Sequence, residues 1–258
     1  MIRILMTACA AAALASCAAT PAEDAAPPRA AHQAAPGGQT TGYLTASAMS
    51  GKDILPGPPP AGSAYDIADR ANYDATRSLE GSARWKLAQQ DNDLWQGGAL
   101  KRFSCAMGRE VNATQTPVAW KLLHKIELDV RTLGTPAKNH FDRKRPALGN
   151  DKPICVPREP WLATNASYPS GHSMVAWAWA LILTEAAPDK ADALLKLGQE
   201  SGDSRVVCGV HYPSDVEAGR VLAAGMVARL HAEPAFNADL AALKRELTSA
   251  PPASGCGV

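Results

Sequence analysis

Eleven positions of the chain have types and spacing that could do chemistry together. Lys138 is followed seven residues later by Arg145-Pro146, then come Pro169-Ser170-Gly171-His172, then Ser204-Arg205, His211 and Asp215. The inventory is three fixed cations, two histidines, one carboxylate and a turn that opens a helix. Free N–H groups at a helix N-terminus favour an anion. The set suits a phosphoryl group: cations and backbone N–H groups for its equatorial oxygens, one imidazole to attack and one to donate a proton. His211 and Asp215 lie four apart at a helix entry, so the carboxylate is expected to accept from the imidazole. That bond would fix the tautomer and leave the other ring nitrogen free as nucleophile. Lys138 and Arg145 lie two helical turns apart, so a short basic helix over 138–145 would point both the same way.

Each residue alone has a plainer reading. Lys138, Arg143, Lys144 and Arg145 read as a solvated basic face, Ser170 as an N-cap, Gly171 as a turn residue and Ser204 as a cap. His211 with Asp215 reads as a surface pair worth under ~1 kcal/mol. It is their joint order and spacing that points to one site.

The elements that must position these residues are helical. The composition is Ala-rich and aromatic-poor, with 46% hydrophobic residues, ample for one core. Ser63-Ala64-Tyr65-Asp66 caps a helix expected through Leu79, and a second is expected over Ala83–Trp95, broken by Gly97-Gly98. Thr116-Pro117 opens an amphipathic helix carrying Ala119, Leu122, Leu123, Ile126 and Val130. Gly149–Pro160 reads as a loop. The stretch Ser170–Ala187 is apolar nearly all round, which places it at the centre of a bundle. Pro188 starts a helix through about Glu200, and Pro213 starts one through His231 with Val216, Val221, Leu222, Met226 and Leu230 buried. The last, Pro234–Leu247, buries Phe236, Leu240, Leu243 and Leu247. No run has strand period, so the expected fold is all-α, a single helical-bundle domain over residues 51–248, with 249–258 a Pro/Gly tail.

Residues 1–17 read as an address: Arg3, the apolar stretch Ile4–Leu14, then Leu14-Ala15-Ser16-Cys17. This resembles the lipobox of bacterial lipoproteins, which implies lipidation of Cys17, a periplasmic location and a membrane contact through the lipid anchor only. Cleavage after a small-x-small site, releasing a soluble protein, is the competing reading. Residues 18–50 read as a flexible Ala/Pro-rich tether. Cys105, Cys155, Cys208 and Cys256 are an even number in an oxidising compartment and allow three pairings. A net charge of +1 gives no case for a nucleic-acid partner.

The three blocks resemble the phosphatase signature of the superfamily uniting type 2 phosphatidic acid phosphatases, bacterial class A non-specific acid phosphatases and vanadium haloperoxidases. The stretches Pro58–Trp85, Phe103-Ser104-Cys105, Ser167–His172, Trp177–Ala180 and Ala228–Leu240 are similar to class A acid phosphatases, so the resemblance spans roughly Leu55 to Leu247. It implies a broad-specificity acid phosphatase for small phosphomonoesters, commonly oligomeric, with His211 as nucleophile forming a phosphohistidine and Asp215 orienting it. It implies His172 as general acid and then base, with Lys138, Arg145, Arg205, Ser170 and the Gly171 N–H cradling the phosphate. It implies no metal or other cofactor, since the cations do the work a metal ion would do elsewhere, and no convincing metal-ligand cluster appears in the sequence. The chain departs from the usual pattern at Ala166 and Ser173, after Lys138 at Asn139–Asp142, and around the nucleophile at Val210, Tyr212 and Pro213. These changes flank the cradle and bear on leaving-group preference.

Two rivals follow from the same blocks. A vanadium haloperoxidase would hold vanadate in the same cradle, and a surface-attached binding protein on a dead phosphatase scaffold would lack a catalytic residue. An integral membrane lipid phosphatase would need several apolar spans of about 20 residues, and the longest candidate, Met174–Leu183, is too short.

Overall fold

Helix α7 (Gly171–Ala186) forms because Ser170, in extended conformation, caps its first turn by accepting from the Ser173 N–H, and the residues that follow are good helix formers. Met174, Val175, Ala178, Trp179, Ile182 and Leu183 are all buried, so this helix has no solvent face to spare. The structure, a computed structural model, describes residues 41–95 and 97–256. The segment read as a signal, with Cys17, and the stretch read as a tether through residue 40 lie outside the described residues. Among the described residues the fold is helical, without a strand.

The other elements are α1 (Gly51–Ile54), α2 (Ala64–Thr76), α3 (Ala83–Gln90), α4 (Ala99–Met107), α5 (Pro117–Phe141), α6 (Trp161–Thr164), α8 (Ala191–Val207), α9 (Pro213–Leu230) and α10 (Pro234–Ser249). Helices α8, α9, α5 and α10 surround α7. Helix α9 approaches closely because Gly219 has no side chain: a Cβ there would lie 2.7 Å from the Ser170 carbonyl oxygen. The start of α7, the end of α8 and the start of α9 are thereby held at one end of the bundle.

Several expectations are corrected. The second helix stops at Gln90, not Trp95: the Asp93 carboxylate accepts from the Trp95 N–H at 2.8 Å, a local turn that competes with the helix. Helix α4, beyond Gly98, was not expected. Helix α5 runs unbroken past Pro136 to Phe141, where Asp142 (φ 43°) ends it, so Lys138 lies in its last turn and Arg145 lies on the loop beyond. Thr116 does not cap α5 with its side chain; the Glu246 carboxylate of α10 takes the N–H groups of Val118 (3.0 Å) and Ala119 (2.8 Å) instead. The helix expected to end near Glu200 continues to Val207 and so carries Arg205. Val221 faces solvent, 45% exposed, while Val216, Leu222, Met226 and Leu230 are buried as expected.

Both ends of the described chain lie against the bundle. In the stretch 41–50, read from composition as tether, the N–H groups of Tyr43 and Leu44 donate to Asp129 of α5 at 3.1 and 2.8 Å. Beyond α10, Pro251 accepts from the Glu110 N–H at 2.9 Å, and Cys256 is disulfide-bonded to Cys105. Cys155 pairs with Cys208, which resolves the three pairings into one.

Candidate active site

A cavity of ≈ 330 Å³ opens at the end of the bundle where these helix termini meet. Lys138, Arg145, Gly171, His172, Arg205 and His211 all line it. Two residues from each of the three sequence blocks thus face a common space.

The cations are positioned by backbone carbonyls and neutral amides, not by carboxylates. Lys138 donates to the Ala166 carbonyl at 2.6 Å. Arg145 donates through Nε and Nη2 to the Asn165 carbonyl and side chain (2.8 and 3.0 Å) and through Nη1 to the Val210 carbonyl at 2.9 Å. Its guanidinium lies 5.0 Å from the centre of the Trp161 ring. Arg205 donates to the Asn92 side chain at 2.9 Å and is almost wholly buried. Burial and mutual repulsion favour the neutral forms. Burial, then Arg145, holds Lys138 well below its ordinary value; burial, then Arg205, lowers Arg145 to about 9; burial lowers Arg205 to about 10. Two buried cations, Arg145 and Arg205, and the partly buried Lys138 around one cavity are an electrostatic arrangement that an anion relieves.

His211 sits on the turn between α8 and α9, shaped by Gly209 at φ 79°. A side chain on Gly209 would run into the guanidinium of Arg77, whose Nη2 donates to the carbonyls of Val206 and Val207 at 3.0 and 2.7 Å. The His211 Nε2 faces Arg145 Nη1 at 3.0 Å. On the other side of the ring, Nδ1 lies 3.3 Å from Ser167 Oγ and 3.5 Å from Asp215 Oδ2. The direct histidine–carboxylate bond expected from the spacing is therefore long, and Ser167, which donates to Asp215 Oδ2 at 2.5 Å, lies between the two. Burial, then Arg145, Lys138 and Arg205, pushes His211 well below the ordinary imidazole range.

Asp215 is fully buried behind His211 and also accepts from the Tyr212 N–H at 2.7 Å and from Arg143 Nη1 at 2.6 Å. Arg143 is thus not the solvated basic residue its neighbours suggest. His172 Nε2 lies 3.1 Å from the Asn92 carbonyl, which can only accept, so Nε2 carries a proton. Ser170 is fully buried and does not line the cavity: its N–H donates to the Asp215 carbonyl at 2.9 Å and its Oγ caps α7. Ser204 likewise stands behind the wall, donating to Asp91 at 2.5 Å. Residues not assigned to the site from sequence are Asn92, Arg143, Asn165, Ser167 and Asp69. Ser167 alone had a signal, its place directly before Tyr168-Pro169. Among the described residues, no group of three or more His, Cys, Asp or Glu could hold a metal ion.

Residues 128–236 match the PAP2 superfamily. An acid phosphatase of Zymomonas mobilis is 40% identical over 195 residues, covering 75% of this chain and 74% of that protein. A non-specific acid phosphatase of Providencia stuartii is 40% identical over 207 residues, 79% of this chain and 84% of that protein. One from Salmonella typhimurium is 38% identical over 199 residues, 74% of this chain and 78% of that protein.

Proposed function

Since this chain belongs to the PAP2 superfamily, among its bacterial non-specific acid phosphatases, and is an acid phosphatase, we propose that it hydrolyses small phosphomonoesters of many kinds through a phosphohistidine at His211. The observation that carries this reading is that both imidazoles and all three cations line one cavity.

Substrate enters with its phosphoryl oxygens against Lys138, Arg145 and Arg205, assisted by the Gly171 N–H at the start of α7. A phosphoryl oxygen draws the Arg145 N–H away from His211, and the freed Nε2 lone pair attacks phosphorus. As the N–P bond forms, the ester P–O bond breaks and the departing alkoxide takes a proton from His172. Water then attacks the phosphohistidine, giving its proton to His172; the N–P bond breaks and inorganic phosphate leaves. Asp215 acts through the ring, holding the Nδ1–H side while positive charge develops on the imidazole. The cations supply the charge stabilisation that a metal ion supplies in other phosphoryl-transfer sites. Phosphate release from p-nitrophenyl phosphate should vanish in His211→Ala; persistent turnover there would remove the nucleophile assignment.

The reading extends to location. The Leu14-Ala15-Ser16-Cys17 sequence supports a periplasmic lipoprotein anchored at Cys17, and two disulfides among the described residues fit an oxidising compartment. Among the described residues no helix is long and apolar enough to cross a membrane. Orthovanadate should inhibit by occupying the cradle, and a homo-oligomer is expected in solution. Globomycin-sensitive processing and sedimentation would test the anchor and the subunit number.

A further inference from the structure

Asp215 is a buried carboxylate that must hold one orientation if His211 is to present Nε2 to phosphorus. Three donors fix it besides the ring: Ser167 Oγ and the Tyr212 N–H on Oδ2, and Arg143 Nη1 on Oδ1. Arg143 is itself fixed. Its Nη2 donates to Asp69 Oδ2 at 2.8 Å, its Nη1 also donates to Ser214 Oγ at 2.7 Å, and its guanidinium stacks 4.2 Å from the centre of the Tyr212 ring. Its side chain is 9% exposed, between carboxylates that are 4% and 0% exposed. Asp69 closes the circuit by accepting from the Ser214 N–H at 3.1 Å and from the Ser214 hydroxyl, so it caps the first turn of α9 from across the molecule. The charges alternate along the chain: Asp215, Arg143, Asp69.

We propose that Arg143 and Asp69 are positioning residues for the nucleophile, forming a relay from α2 through Arg143 to Asp215 that holds the carboxylate, and through it His211, in line with the phosphorus. The inference rests on His211 being the nucleophile. Neither residue lines the cavity, so neither touches substrate. Asp69 lies on α2, outside the stretch 128–236 that matches the superfamily, so the N-terminal helix completes a support that the superfamily segment does not contain by itself. A planar guanidinium is suited to this place because its fork reaches two carboxylates and a hydroxyl at once, which an ammonium cannot do without leaving one unmet.

The relay is a statement about kcat. Removing it leaves Lys138, Arg145 and Arg205 with their own carbonyl and amide partners, so ground-state anion binding should survive while the attack geometry loosens. The test compares Arg143→Gln, Arg143→Lys and Asp69→Asn with the parent, measuring kcat and KM on p-nitrophenyl phosphate, the Kd of inorganic phosphate, and thermal melting. Misplacement of a reacting group by about 1 Å costs up to ~100-fold in rate, so kcat is expected to fall ~30–100-fold in Arg143→Gln and ~10-fold in Asp69→Asn. KM and the phosphate Kd are expected to stay within about threefold, the signature of an interaction realised in the transition state. Arg143→Lys should recover part of kcat by keeping the charge beside Asp215. A folded Arg143→Gln with kcat within threefold of the parent overturns the proposal. So does a loss of phosphate affinity in proportion to kcat, which would mark general distortion of the cavity. If Arg143→Gln does not fold, the near-isosteric Asp69→Asn decides alone on the same criteria. His211→Ala separates the two levels: turnover in that variant removes the nucleophile reading, whereas an inactive His211→Ala beside a fully active Arg143→Gln removes only the relay.

Discussion

Arg145 Nη1 lies 3.0 Å from the Nε2 of His211, and a guanidinium can only donate. Nε2 therefore accepts, the ring proton sits on Nδ1, and the arginine selects the tautomer that leaves the attacking nitrogen unprotonated. The same arginine that would bind a phosphoryl oxygen keeps that nitrogen occupied until substrate arrives.

The first prediction is the pH–rate profile. Burial and the surrounding cations hold His211 well below the usual imidazole value, so the ring is neutral across the working range and the acid limb lies below ~6.5. The alkaline limb follows loss of the proton that His172 must donate. An optimum on the acid side of neutrality is expected, and a maximum above pH 8 would count against the assignment. The same depression has a stability sign. Below ~6.5 the unfolded chain binds a proton at this position that the folded chain refuses, so this group's contribution diminishes as pH falls toward the folded value.

The second concerns the cradle. Lys138 is the cation most easily lost, held well below its ordinary value by burial and then by Arg145. An anion in the cavity stabilises its protonated form, so binding of inorganic phosphate or vanadate should take up protons at alkaline pH, and affinity should fall as pH rises. Calorimetry in two buffers of different ionisation enthalpy reads the uptake. Lys138→Met should weaken phosphate binding by ~10-fold or more at neutral pH, with removal of a charge-assisted contact worth roughly 1.5–3 kcal/mol, and should flatten the pH dependence. A pH-independent affinity in the parent would sink this account.

The bundle was legible where its helices declare themselves locally. Helix α7 does so by an apolar run behind a Pro-Ser-Gly entry, and α9 and α10 by an N-terminal proline and a clean apolar face. Helix α5 read as two pieces, an amphipathic run through Val130 and a short basic helix over 138–145, yet tertiary packing carries one helix through Pro136. That error put Arg145 on a helix it does not join, although Lys138 and Arg145 do meet at the cavity. The residues contacting the cavity were legible because their types are unusual together. Their supports were not. Arg143 hides in a basic run, Asp69 looks like any helix-surface aspartate, and Asn92 has no distinguishing neighbour; each acquires its place only through contacts between distant segments.

A third prediction concerns the Cys155–Cys208 disulfide. Cys208 lies between Arg205 and His211, and Cys155 leads into the segment carrying Trp161 and Asn165, the partners of Arg145. Replacing both cysteines by serine should cost roughly 2–4 kcal/mol of stability, within the range for a loop of this size. It should also raise KM several-fold as the segment holding Arg145 loosens. Urea unfolding and steady-state kinetics at a temperature where the variant stays folded separate the two effects. An unchanged KM would confine the disulfide to stability.

The fourth follows from Asp129, where the arm at residues 43–44 meets α5. Burial raises this carboxyl to about 6 even though the N–H groups of Leu44 and Tyr43 favour its charged form. The folded value lies above the unfolded one, ~3.8, so between these two the folded state holds the extra proton. Stability contributed by this group is therefore largest below ~4 and is lost as pH rises through about 6, on the order of 2–3 kcal/mol in all. This runs opposite to the His211 contribution and favours the fold under acid conditions. Asp129→Asn, neutral at every pH, should remove the loss between pH 4 and 7, whatever it costs at a single pH through the exchange of a carboxylate oxygen for an amide nitrogen. Urea-unfolding free energies of parent and variant, measured from pH 4 to 7, should converge or cross. Parallel curves would show that Asp129 titrates with the same value folded and unfolded, so that the arm's N–H groups hold it ionised despite its burial.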